Sequence, residues 1–109
     1  MEINNLLNEF IAESKEHILQ LNKDLLSIEE NPKDYSNDII DRAFRCIHSI
    51  KGSSGFFDLS NIQTLSHVME TLLCEFRDRT LLPTTHSMEL LFEGLDTLDK
   101  LIDAIITNE

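Results

Sequence analysis

Ile39-Ile40-Asp41-Arg42-Ala43-Phe44-Arg45-Cys46-Ile47-His48-Ser49-Ile50-Lys51-Gly52-Ser53-Ser54-Gly55-Phe56-Phe57 sits at the middle of the chain. Its apolar residues Ile39, Ile40, Ala43, Phe44, Ile47 and Ile50 recur at spacings of three and four, the signature of one helical face rather than of a strand. His48 falls about one residue round from that stripe, toward its rim. Lys51, Gly52 and Gly55 follow along the same side, so an imidazole, an ammonium group and bare backbone share one face. Glycine inside a helix costs about 1 kcal/mol relative to alanine. Gly52 therefore calls for a packing or functional reason, such as the close approach of another surface to His48.

The same period extends outward in both directions. Toward the start, Ile3, Leu6, Leu7, Phe10, Ile11, Ile18, Leu21, Leu25 and Ile28 form one long amphipathic helix, which Asn31-Pro32 ends because the residue before proline is pushed out of the α region. Ser36 or Asn37 can cap the central helix. Beyond it, Asp58 or Ser60 opens a third helix carrying Ile62, Leu65, Val68, Met69, Leu72, Leu73 and Phe76 down to Arg79. Leu82-Pro83-Thr84 breaks the pattern, and Thr84 or Thr85 begins a fourth with Leu91, Leu95, Leu98, Leu101, Ile102 and Ile105. The spacing predicts helices over about 3–30, 37–56, 59–79 and 85–107, and no segment alternates like a strand. Short connections make sequential helices antiparallel, so the expected fold is all-α, a single-domain up-down-up-down four-helix bundle spanning 1–109.

Composition narrows the function. The 109 residues are 41% hydrophobic and 27% charged, enough for one core. The net charge of -11 argues against a nucleic-acid partner, whose affinity would come from Lys and Arg. No apolar run approaches the roughly 20 residues that span a bilayer, and Met1 to Phe10 lacks a signal peptide's features, so a cytoplasmic protein without membrane contact is expected. Cys46 and Cys74 read as reduced, packed thiols without assigned function.

Bundles host many functions, so function must come from particular residues. His67 and Glu70 lie three apart on the third helix, and a bend near Ser54 to Asp58 brings that helix back to the level of His48. Glu70 can then accept a hydrogen bond from Nδ1 of His48, which leaves Nε2 as an outward-facing nucleophile. Lys51 would supply positive charge beside an incoming phosphoryl group. His17 and His86 have no partners that spacing identifies and read as surface residues. Two rival readings remain. A metal-binding bundle would employ His48, His67 and Glu70 as ligands, but di-iron bundles carry Glu-x-x-His on two helices and here the order is reversed and single. A purely structural helical module would need only the stripes, and it leaves Lys51 and Gly52 unexplained.

The run Ala43 to Gly52, its continuation Ser53-Ser54-Gly55-Phe56-Phe57, and Leu65-Ser66-His67-Val68-Met69-Glu70-Thr71-Leu72-Leu73 resemble the histidine phosphotransfer family, in particular the amino-terminal domains of CheA-type chemotaxis histidine kinases. Phe10-Ile11-Ala12-Glu13-Ser14 and Leu25-Leu26-Ser27-Ile28-Glu29 fit too, so the similarity covers essentially the whole chain. The resemblance implies a phosphoryl carrier in two-component chemotaxis signalling. His48 would take the γ-phosphoryl group of ATP from a separate histidine kinase catalytic domain and pass it to an aspartate of a CheY-like response regulator receiver domain. Lys51, His67 and Glu70 match the residues that surround the family's phosphorylated imidazole, and Gly52 matches its gap. Mg-ATP would be used by the kinase domain, since this chain carries no glycine-rich nucleotide loop or kinase segment. No bound cofactor or metal is expected, and a monomer is. Ending at Asn108-Glu109 directly after a helix, the chain is expected to be part of a larger kinase, with a stand-alone phosphorelay carrier as the alternative. One departure is local: Arg77-Asp78-Arg79-Thr80 stands where relatives often have Arg-x-Gly, which leaves the end of the third helix open.

Overall fold

A computed structural model describes residues 2–107, with side chains from 4 to 105. It contains α1 (Glu2–Glu30), α2 (Asn37–Phe56), α3 (Ser60–Arg77) and α4 (Thr85–Thr107), and the described residues include no strand. Each helix packs on two neighbours, α1 on α2 and α4, and α3 on α2 and α4. That ring, 47 Å long and about 20 Å across, is the expected antiparallel bundle. The side chain of Ile3, assigned to the first stripe, and Asn108-Glu109 lie outside the described residues.

Local chemistry sets the helix ends. Ser36 caps α2, its Oγ accepting from the Ile39 amide at 3.1 Å. Thr84 and Ser87 bond reciprocally at the start of α4. The Thr84 hydroxyl accepts from the Ser87 amide at 3.0 Å, and Ser87 Oγ accepts from the Thr84 amide at 2.8 Å. Both α2 and α3 end in Schellman turns. Leu59 and Asp58 amides reach back to the carbonyls of Ser54 and Gly55, and Thr80 and Arg79 amides to Glu75 and Phe76.

Helix α3 therefore stops at Arg77, two residues short of the expected Arg79. Arg79 occupies the left-handed position of the turn, at φ 61°, which glycine usually takes. Its guanidinium compensates by donating to the carbonyls of Phe76 (2.9 Å) and Tyr35 (3.0 Å) and to Asn37 Oδ1 (3.0 Å), while lying 4.0 Å over the Tyr35 ring. The arginine thus ties the end of α3 to the loop before α2.

The core runs the length of the bundle through Leu21, Leu25, Ile28, Ile40, Ile47, Ile50, Leu73, Phe76, Leu98 and Ile102, all essentially inaccessible. Burying such side chains contributes about 1.5 to 3 kcal/mol each. Two stripe residues fall outside that core. Val68 is 61% exposed, because the ridge Leu65-Val68-Leu72 flanks the α3/α4 seam and lines a groove there with Leu90. Leu6 is 44% exposed, lying with Phe56 and Phe57 at the open end of the bundle. One buried charge also joins α1 to α2: Asp24, 1% exposed, accepts from Arg42 Nε at 3.0 Å and Nη2 at 2.6 Å in a two-pronged pair.

Candidate functional site

The α2/α3 hairpin turns at residues 57–59, so position 48 meets position 70 across it. Ser54 and Ser66 are both fully buried, small side chains on the packed faces of α2 and α3. Spacing alone did not reveal this pair, although two serines at apolar-stripe positions were its trace.

Glu70 is 8% exposed, and each of its carboxylate oxygens is engaged. Oε2 accepts from Nδ1 of His48, and Oε1 accepts from Lys51 Nζ at 2.7 Å. Burial pushes this carboxyl group's pKa up, but the hydrogen bonds from Lys51 and His48 and the positive charge of Lys51 outweigh it and hold the group below the ordinary carboxylate value. Glu70 is thus an anion at neutral pH, so His48 Nδ1 must carry the proton. Nε2 then holds the free lone pair, on an imidazole whose side chain is 60% exposed.

The other expected site residues are placed unequally. His67 lies next to Glu70, but its Nδ1 is 3.9 Å from Oε1, beyond hydrogen-bond reach. A Cβ added at Gly52 would meet nothing within 4 Å, so the helix is open there beside His48. At Gly55 a Cβ would lie 2.7 Å from the amide nitrogen of Gln63, at the end of that flexible side chain of α3.

Spacing also left His17 without company. In the structure it stands on α1 across a groove of about 340 Å³ whose α2 wall carries His48, Ser49, Gly52 and Ser53. A larger groove of about 430 Å³, at the start of α3 and end of α4, has mostly aliphatic walls and only Asp58 as a titratable group. Size does not select the site; the titratable cluster at His48 does. Among the described residues no three His, Cys, Asp or Glu side chains converge as a metal site would require.

The sequence model of the Hpt domain family matches residues 5–108. The chain belongs to the Hpt domain family. This Hpt domain is 34% identical over 106 residues to the chemotaxis protein CheA of Bacillus subtilis, and 34% identical over 99 residues to that of Halobacterium salinarum. These alignments cover 97% and 91% of the domain but only 16% and 14% of the two relatives. Its backbone superposes on the CheA phosphotransferase domain from Thermotoga maritima with a TM-score of 0.84 at 33% identity, covering 92% of this chain and 93% of that one. No helix among the described residues is long and apolar enough to cross a membrane.

Proposed function

We propose that this Hpt domain is the phosphoryl carrier of a CheA-like chemotaxis kinase, with His48 as the residue that bears the phosphoryl group. The observation that carries the reading is the arrangement of Glu70. It is an anion, nearly buried, and bonded to Nδ1 of a histidine whose side chain is 60% exposed. Membership of the family and similarity to CheA proteins support the same reading.

The chemistry follows from that geometry. The Nε2 lone pair attacks the γ-phosphorus of ATP held by a separate kinase domain, a nitrogen-phosphorus bond forms, and the bond to the bridging oxygen breaks as ADP departs. Positive charge develops on the ring as Nε2 gives up its pair. The Nδ1 proton becomes more acidic, and its bond to the Glu70 carboxylate strengthens, so Glu70 stabilises the transition state more than the ground state. Lys51, paired to the same carboxylate, keeps Glu70 ionised and places an ammonium near the transferred group's negative oxygens. His67 adds a second imidazole at the rim. In the return step an aspartate oxygen of a receiver domain attacks phosphorus, the P–N bond breaks, and its electron pair returns to Nε2 as neutral imidazole. Transfer of this kind requires chiefly an oriented nucleophile and unobstructed approach, and the open face at Gly52 supplies the second.

Incubating the domain with Mg-ATP labelled at the γ-phosphate, with and without a CheA-type kinase core, tests the reading. Acid-labile label that depends on the kinase and disappears in His48→Gln is the expected result. Label retained in that variant, or none with any of several kinase cores, would refute the assignment.

A further inference from the structure

Phe44 lies one helical turn before His48 on α2, and the two rings stack, with centroids 5.9 Å apart and planes only 13° from parallel. The guanidinium carbon of Arg77, in the last turn of α3, sits 4.1 Å from the centroid of the same Phe44 ring. Arg77 is in turn steadied by its approach to Cys74 Sγ at 3.5 Å and to Asp78 at 3.6 Å. Phe44 is half-buried and packs against the bundle core.

A hydrogen bond at Nδ1 fixes one atom of an imidazole and leaves the ring free to swing about that contact. A flat neighbour fixes its plane as well. Offset stacking between aromatic rings at this separation is favourable, and a cation over the phenyl face holds the phenyl group in place. Together Glu70 and Phe44 determine where Nε2 points.

We propose that Phe44, held by Arg77, is a positioning residue that sets the ring plane of His48 and thereby aims Nε2 at the incoming phosphorus. Phe44 touches neither phosphorus nor the transferred oxygens; it acts through the imidazole. The proposal rests on the carrier reading above for its kinetic consequence, but not for its structural one.

The test uses the whole chain in three forms, Phe44→Leu, Phe44→Tyr and Arg77→Met, each read in two ways. Nitrogen-15 shifts of the His48 ring, recorded without kinase across a pH series, report how completely the proton stays on Nδ1. In Phe44→Leu they move toward the averaged values of a free imidazole, and phosphorylation by a CheA-type kinase core slows roughly three- to tenfold. Phe44→Tyr restores both, and Arg77→Met shifts both part of the way while leaving the core ring in place. Native shifts and rate in Phe44→Leu would overturn the proposal. So would loss of both in Phe44→Tyr, or a slowed Phe44→Leu whose only other change is a lower melting temperature. If the wild-type chain takes no label from any kinase, the carrier reading fails, and the ring shifts still decide the role of Phe44.

Discussion

The ammonium of Lys51 lies 2.7 Å from Oε1 of Glu70, the carboxylate whose other oxygen holds Nδ1 of His48. One anion therefore holds both the imidazole of His48 and the ammonium of Lys51, so under the carrier reading their roles are coupled. Replacing Lys51 with Met removes a charge-assisted bond and should slow phosphorylation roughly tenfold. Lys51→Arg should recover part of that loss. A Lys51→Met domain labelled at the wild-type rate would show that the ammonium has no part in transfer.

Acid should reveal the same coupling in stability. The folded Glu70 titrates below its ordinary value of 4.5, so between those two values the unfolded chain binds more protons than the folded one. The stability due to ionised Glu70 is then complete above about 4.5 and is lost as pH falls through the lower folded value. Thermal melts of wild type and Glu70→Gln should differ by a constant margin at higher pH and converge in that acid window. A margin unchanged down to the acid limit would mean that Glu70 is not held as an anion by its partners.

Gly52 should show opposed effects on stability and function. A methyl group there meets nothing within 4 Å, so Gly52→Ala should raise stability by about 0.5 to 1 kcal/mol through helix propensity alone. The same methyl group, and still more the side chain in Gly52→Leu, projects into the open space beside His48, which the proposed carrier role leaves for an approaching partner. Phosphotransfer should therefore fall as the side chain grows while the melting temperature does not. Equal transfer rates for Gly, Ala and Leu would remove the gap from the mechanism.

The two left-handed residues at helix ends should respond differently to glycine. Asp58 at φ 55° is exposed at the end of α2, and Asp58→Gly should stabilise by about 0.5 kcal/mol once relief of strain is set against glycine's unfolded-state entropy. Arg79 has the same backbone strain, but its side chain bonds Phe76, Tyr35 and Asn37. Arg79→Gly should lower stability by about 1 kcal/mol, because the lost hydrogen bonds outweigh the relief. Denaturant midpoints that rise in both variants would contradict the anchoring role.

These two turns also show where sequence reading stops. Stripes at Leu21, Leu25 and Ile28, at Ile40, Ile47 and Ile50, at Leu73 and Phe76, and at Leu98 and Ile102 are enough to place four helices, because burying one face leaves a period that local sequence carries. The end of α3 was not legible, since a non-glycine residue took the left-handed position and was held there by contacts from a distant loop. His48, Lys51 and Glu70 could be brought together from spacing and an antiparallel hairpin. The seating of Arg77 over Phe44, the groove shared with His17 and the outward turn of Val68 depend on how the helices rotate against each other, which no single stripe encodes. Phe44 in particular counted as ordinary core by its period, and only the ring geometry distinguishes it.

The central claim is that Nε2 of His48 is the atom that carries the phosphoryl group while Nδ1 keeps its proton for Glu70. Nitrogen-15 and phosphorus-31 spectra of the phosphorylated domain, with ring-labelled histidine, test it most directly. The predicted result is one phosphorus coupled to Nε2 of His48 and a protonated Nδ1 on the same ring. Phosphorus on Nδ1, or on His17, His67 or His86, would contradict it.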